Sequence, residues 1–173
     1  MDCPGEKIMI LDEEVFAVLM AVVIIGSVLG IVNIIHISSG ESFTAIGLLN
    51  EDCKIGTYPK QVLENTNITL CIYVYNHMGR PVYYKVVYKI GGEKDLPTNT
   101  SPSSMPEVMS WRGVLDNDEN HTFKILIPIP SYDKSFDNKT ALIFELWIYD
   151  TSSDKWVYTG EWVHLYIQVL KRS

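Results

Sequence analysis

Val82, Tyr84, Val86, Tyr88 and Ile90 fall on one side of an extended chain, while Tyr83, Lys85, Val87 and Lys89 fall on the other. An apolar row with a spacing of two matches the pleat of a strand and not the three-to-four spacing of a helix face. The same alternation runs through Ile68, Leu70, Ile72, Val74; through Phe123, Ile125, Ile127, Ile129; through Leu142, Phe144, Leu146, Ile148; and through Val163, Leu165, Ile167, Val169. Weaker strands are expected near Phe43–Leu49 and Val108–Leu115. Turn-forming clusters separate them: Asn50-Glu51-Asp52, Asn76 to Pro81, Asp116 to Asn120 and Thr151 to Asp154. Short strands at this spacing with no helical pattern between them predict an all-β domain. The expected form is an immunoglobulin-like antiparallel β-sandwich of about seven strands, with a closed barrel as the alternative. Gly91–Pro106, with three prolines and many Ser and Thr, reads as a loop within this domain.

Upstream the pattern changes. From Val15 to Ile35 no charge interrupts the chain, and Asn33 is its one strongly polar side chain. A run that is apolar all round and of this length predicts a transmembrane helix. A cleaved leader would be shorter, with basic flanks and a small-residue cleavage site. The organisation expected is an acidic N-terminal tail at 1–14, a transmembrane helix at 15–37, a short linker at 38–42 and a β-sandwich domain at 43–173. Gly26 and Gly30 form a GxxxG pair, a candidate helix-dimer face, although glycine is common in membrane helices.

Charge narrows the partners. The formal net charge is −7, which excludes a nucleic-acid binder driven by overall phosphate attraction. Residues 1–14 carry five acids against Lys7, while 42–173 hold 15 acids and 13 bases, so the large domain is almost balanced. Lysine and arginine counts on the two sides of the apolar run do not set its orientation. The acceptor sequences at Asn67, Asn99, Asn120 and Asn138 all follow that run and are candidates for N-glycosylation. They predict a cell-membrane protein, single-pass, with its large C-terminal domain outside the cell.

Phe43-Thr44-Ala45-Ile46-Gly47-Leu48-Leu49-Asn50, followed by Lys54-Ile55-Gly56-Thr57-Tyr58-Pro59, resembles an opening shared by the archaeal membrane-protein family called domain of unknown function 1616. The Asn76–Tyr84 segment is similar to that family's central turn and following strand, and Leu142–Tyr149 with Tyr158–Val169 to its closing pair. The resemblance covers roughly residues 43–169. It implies an archaeal membrane protein of uncharacterised role and supplies no catalytic residues.

Little in the chain points to catalysis. His36, His77, His121 and His164 stand in no metal-ligand spacing, so no metal or cofactor is expected. No Ser/His/Asp or Cys/His arrangement stands out. Glu145 and Glu161 fall on strands expected to be neighbours, but two solvated sheet carboxylates are the simpler reading. Cys53 and Cys71 are candidates for a disulfide: if Leu70 and Ile72 point inward, Cys71 points away from the core, and Cys3 is left over.

The informative anomaly is aromatic. The outward positions of the third, sixth and seventh strands include Tyr83, Val87, Ile143, Trp147, Tyr149, Trp162 and Tyr166. Outer sheet faces are normally polar, and an apolar patch there marks a contact surface unless the Gly91–Pro106 loop covers it. Tyr83, Trp147, Tyr149, Trp162 and Tyr166 are therefore the candidate interaction surface. The expected function is non-enzymatic: an integral membrane protein that presents a β-sandwich to an envelope or surface-layer protein, or to a second copy of itself. The alternative is a carbohydrate-binding module or accessory subunit of an envelope enzyme.

Overall fold

The computed structural model describes residues 13–37, 42–131 and 139–172, with side chains of the helix described from Val15 to Ile31. The chain separates into two units, Met1–Glu41 and Ser42–Ser173.

The first unit contains α1, Glu13–Ile37. Every described side chain on it is exposed, and Ser27 Oγ returns a hydrogen bond to the Ile24 carbonyl (2.9 Å). Among the described residues, no helix is long and apolar enough to cross a membrane. This corrects the transmembrane helix expected at 15–37, and the single-pass membrane localisation with an outward domain falls with it. Residues 1–12 of the acidic tail and 38–41 of the linker lie outside the described residues.

The second unit carries eight strands among its described residues: β1 (Phe43–Leu49), β2 (Gln61–Leu63), β3 (Asn67–His77), β4 (Val82–Gly91), β5 (Met109–Leu115), β6 (Asn120–Pro128), β7 (Thr140–Asp150) and β8 (Lys155–Leu170). They form two sheets, ordered β1-β3-β6 and β2-β8-β7-β4-β5. All pairings are antiparallel except β2 with β8, where Gln61, Val62 and Leu63 run parallel to Gln168, Val169 and Leu170. The immunoglobulin-like antiparallel sandwich of about seven strands behind a transmembrane helix is thus replaced by a mostly β fold of eight strands in two sheets, with one parallel pair and one helix. The missed strand, β2, is three residues long, too short to show alternation.

Alternation builds the core. Leu70, Ile72 and Val74 of β3 and Ile125 and Ile127 of β6 meet Val82, Tyr84, Val86 and Tyr88 of β4, Leu142, Phe144 and Leu146 of β7, and Ile167 and Val169 of β8. Tyr88 and Phe144 stack at 5.2 Å between ring centres. The Tyr88 hydroxyl reaches the Pro128 carbonyl (3.0 Å), so a buried polar tip crosses to the other sheet already paired. Two further devices close the domain. Asn76 is fully buried, and its Nδ2 donates to the carbonyls of Arg80, Leu115 and Asp116 at 2.9–3.1 Å. It thereby ties the β3–β4 turn to the end of β5. Cys53 and Cys71 are joined in a disulfide, with Cα atoms 5.1 Å apart, which pins the loop after β1 onto β3.

Candidate functional site

The outer face of the five-stranded sheet is assembled from registered rows. Lys85 lies opposite Arg112 on β5 and Trp147 on β7, and Trp147 lies opposite Tyr158 on β8. One step toward the sheet end, Tyr83 lies opposite Val114, and Tyr149 opposite Trp156. In the other direction Val87 faces Glu145, which faces Trp162, and Lys89 faces Ile143, which faces His164. The face therefore runs from aromatic and cationic rows at one end to buried rows in the middle.

The middle rows are closed by the connection between β4 and β5, residues 92–108. Glu145 is fully buried beneath it. Lys89 Nζ lies 3.0 Å from Glu145 Oε2 and donates to the Ser103 carbonyl at 2.7 Å. Ser103 N donates to Glu145 Oε1 at 2.6 Å, and Trp147 Nε1 donates to Oε2 at 3.1 Å. A buried charge is tolerated when it is paired and its remaining lone pairs are satisfied, and this carboxylate meets both conditions. The connection also meets β8: the Tyr158 hydroxyl donates to the Thr98 carbonyl (2.9 Å), and Gly160, at φ +86°, leaves the Asn99 carbonyl room that a Cβ would fill at 2.5 Å. Tyr158 is pushed above the ordinary phenol range first by burial, then by the charges of Glu145 and Glu161.

The end rows stay open. Tyr83 is 40% exposed and packs on Trp156 (5.0 Å) and Tyr149 (6.2 Å). Trp156 and Tyr149 meet edge-on at 5.4 Å, and Trp147 and Tyr158 meet at 5.5 Å. Lys85 and Arg112 are like charges directly opposite each other, an arrangement that is destabilising by itself. Both lie over the Trp156 ring, at 5.2 and 5.5 Å, and Lys85 also lies over Trp147 at 5.6 Å and 3.5 Å from Glu107. The ring faces and one carboxylate thus hold an exposed and a largely covered cation side by side.

The five candidate aromatics share this face but not one cluster. Tyr83, Trp147 and Tyr149 belong to the open end. Trp162 and Tyr166 flank His164 further along β8, at 5.4 and 4.7 Å. Burial holds the His164 imidazole below the ordinary histidine range. Val87 and Ile143 are buried instead of lining the surface. The sequence candidates do not include Trp156, Lys85 or Arg112, which the structure brings to the same end. Trp156 follows the Thr151–Asp154 turn closely, and the apolar row that marks β8 begins only at Val163. Its period-two match to Tyr158 was the available signal.

The remaining candidates are dispersed. Glu145 and Glu161 do not form a pair: Glu145 is buried and locked to Lys89, while Glu161 is an exposed carboxylate beside a cleft of about 270 Å³ with Ser42, Met78 and Thr159. A wider polar cleft of about 720 Å³ lies between Asn50–Asp52, Thr57–Pro59 and Asn67–Thr69. Asn67, Asn99 and Asn120 are exposed, while Asn138 lies outside the described residues. His77 pairs with Asp118, which lowers that carboxyl below its usual range, and His121 Nδ1 is 2.9 Å from the Tyr84 hydroxyl. Among the described residues, no group of three or more His, Cys, Asp or Glu side chains could hold a metal ion. Gly26 and Gly30 have nothing within 4 Å of where a Cβ would stand.

No family model matches the chain, and no curated protein matches it. Among solved structures, it is similar to the CARDB domain of a Pyrococcus furiosus protein determined in complex with di-metal ions. That match has 12% identity and a TM-score of 0.46, and covers 76% of this chain and 96% of that one. It is also similar to Spo0M, a sporulation control protein of Bacillus subtilis (12%, TM-score 0.41, 73% and 49% covered). A third match is a Listeria innocua beta-glucosidase (10%, TM-score 0.41), of which only 16% is covered. At these scores none of the three carries a functional argument.

Proposed function

We propose that the Ser42–Ser173 domain is a non-enzymatic protein-interaction module, and that the open end of its five-stranded sheet is the contact surface. One observation carries this reading. The chain closes the middle of a single sheet face with its own 92–108 connection, yet leaves Tyr83, Trp147, Tyr149 and Trp156 partly exposed at the end of that same face. Large rings with polar tips, rimmed by Lys85 and Arg112, have the composition of binding hot spots.

The test is site-specific photo-cross-linking in the source cells, with the cross-linker placed in turn at Tyr83, at Trp156 and at Tyr73 on the other sheet. A discrete protein adduct from Tyr83 and Trp156, but not from Tyr73, is expected. Equal labelling from all three positions, or none from the first two, contradicts the reading. A change in Trp fluorescence with soluble glycans, together with no protein adduct, would transfer the surface to carbohydrate binding.

A further inference from the structure

We infer that β5 is a docking strand: an extended partner segment, with an acid two residues from an aliphatic side chain, adds to its free edge as a sixth strand. This rests on the interaction reading above and specifies the partner's chemistry and mode of attachment.

β5 is the outermost strand of its sheet, and β4 is its ladder partner. In an antiparallel edge strand every second residue directs its N–H and C=O away from the ladder, a ready template for another strand. Proteins usually blunt such edges by shortening them or by placing Lys or Pro on them. Two of the other edges show those devices: β2 has three residues, and β6 carries Lys124 and ends at Pro128. β1 has neither device, but it lies against β8 and its side chains are mostly half-buried or buried. β5 has seven residues and no Pro, and its one charge, Arg112, is drawn over the Trp156 ring on the outer face. It also exposes apolar side chains along its length: Met109 is 38% exposed and Val114 66%, with Val108 just before it at 41%.

Charge selects the occupant. Lys85 has Glu107 as a counter-ion, whereas Arg112 has no carboxylate within ion-pair distance among the described residues and rests on the Trp156 ring. Arg112 and Val114 point to the same outer face, two residues apart, with Tyr83 beside Val114. A strand added to β5 has alternate side chains on that face as well. An acid placed by Arg112 and an aliphatic residue two positions away, placed by Val114 and Tyr83, would satisfy both groups at once. Main-chain bonds supply affinity in this mode, and the alternate side chains supply selectivity.

The probes are two fluorescein-labelled peptides, acetyl-Thr-Val-Thr-Glu-Thr-Val-Thr-amide and its Glu-to-Lys counterpart, titrated into the full chain by anisotropy at low salt. Backbone hydrogen exchange is read in parallel. The glutamate peptide is expected to bind about fivefold tighter, the range of an exposed but well-placed charge pair. Arg112→Glu should reverse the preference, and alternate amides within 109–115 should gain protection. Equal affinities, failure of both peptides to bind, or binding without protection of β5 overturns the docking strand. The wider reading fails separately: photo-cross-links at Tyr83 and Trp156 without β5 protection keep the aromatic face as the contact and remove only the strand addition.

Discussion

Two halves of one sheet face handle charge in opposite ways. In the covered half, Lys89 and Glu145 are taken out of water beneath the 92–108 connection, and nearby donors and acceptors complete their coordination. In the open half, Arg112 remains at the surface beside a largely covered Lys85, and their mutual repulsion is relieved by the Trp156 ring and by Glu107. Burial demands a complete set of partners, so the covered half is rigidly specified. The open half tolerates incomplete pairing because water remains available, and that incompleteness leaves it free to accept something else.

The sharpest way to break the contrast is to remove one partner of the buried pair. Glu145→Ala leaves Lys89 without its counter-ion and Ser103 N and Trp147 Nε1 without their acceptor, and is expected to lower stability by about 3–5 kcal/mol in chemical denaturation. Replacing both charges (Lys89→Met with Glu145→Leu) should recover a large part of that loss. A Glu145→Ala loss no greater than that of a surface carboxylate would mean that the connection does not close the face. Removing the Cys53–Cys71 bond with paired Ser substitutions is expected to cost about 3 kcal/mol, since it closes a loop of 18 residues in the unfolded chain. That loss should leave the outer face of the five-stranded sheet unchanged.

Gly160→Ala probes the boundary between the halves. A left-handed residue and a Cβ against the Asn99 carbonyl together should remove about 2 kcal/mol and raise hydrogen exchange in 97–101. Unchanged exchange there would detach the connection from β8. The smallest effect expected is a pH slope. His164 titrates lower in the fold than in the unfolded chain, so the unfolded state binds the proton more readily. Its neutral form supports the fold fully above the unfolded value of about 6.5, and stability declines as pH falls from there toward the folded value. His164→Phe should flatten that part of the profile, and an unchanged slope would assign it elsewhere.

Strand positions and inward rows were legible in the sequence because a period of two survives any sheet arrangement. Val82–Ile90 and Leu142–Ile148 needed no tertiary information. Parity also told which side chains share a face: Tyr83, Trp147, Tyr149, Trp162 and Tyr166 do lie on one. It could not tell what lies over that face. Glu145 was assigned to the outside by its parity with Phe144 and is nevertheless fully buried, because a loop without periodicity folds back across it. Trp156 escapes the pattern for a related reason: β8 runs from Lys155 to Leu170, but its register with β7 shifts around Gly160, where the apolar alternation is lost. The apolar run at Val15–Ile35 announced a helix, but composition did not establish that it crosses a membrane.

Hydroxyl-radical footprinting of the full chain, with and without the partner recovered at Tyr83, tests the central claim most directly. In the free protein, Tyr83 and Trp156 should label readily while Phe144 and Ile143 do not. On binding, Tyr83, Trp156 and Val114 should lose label while Tyr73 and Tyr75 on the opposite sheet keep theirs. Protection of Tyr73 and Tyr75, with Tyr83 and Trp156 unchanged, would contradict the account and move the contact surface to the other sheet.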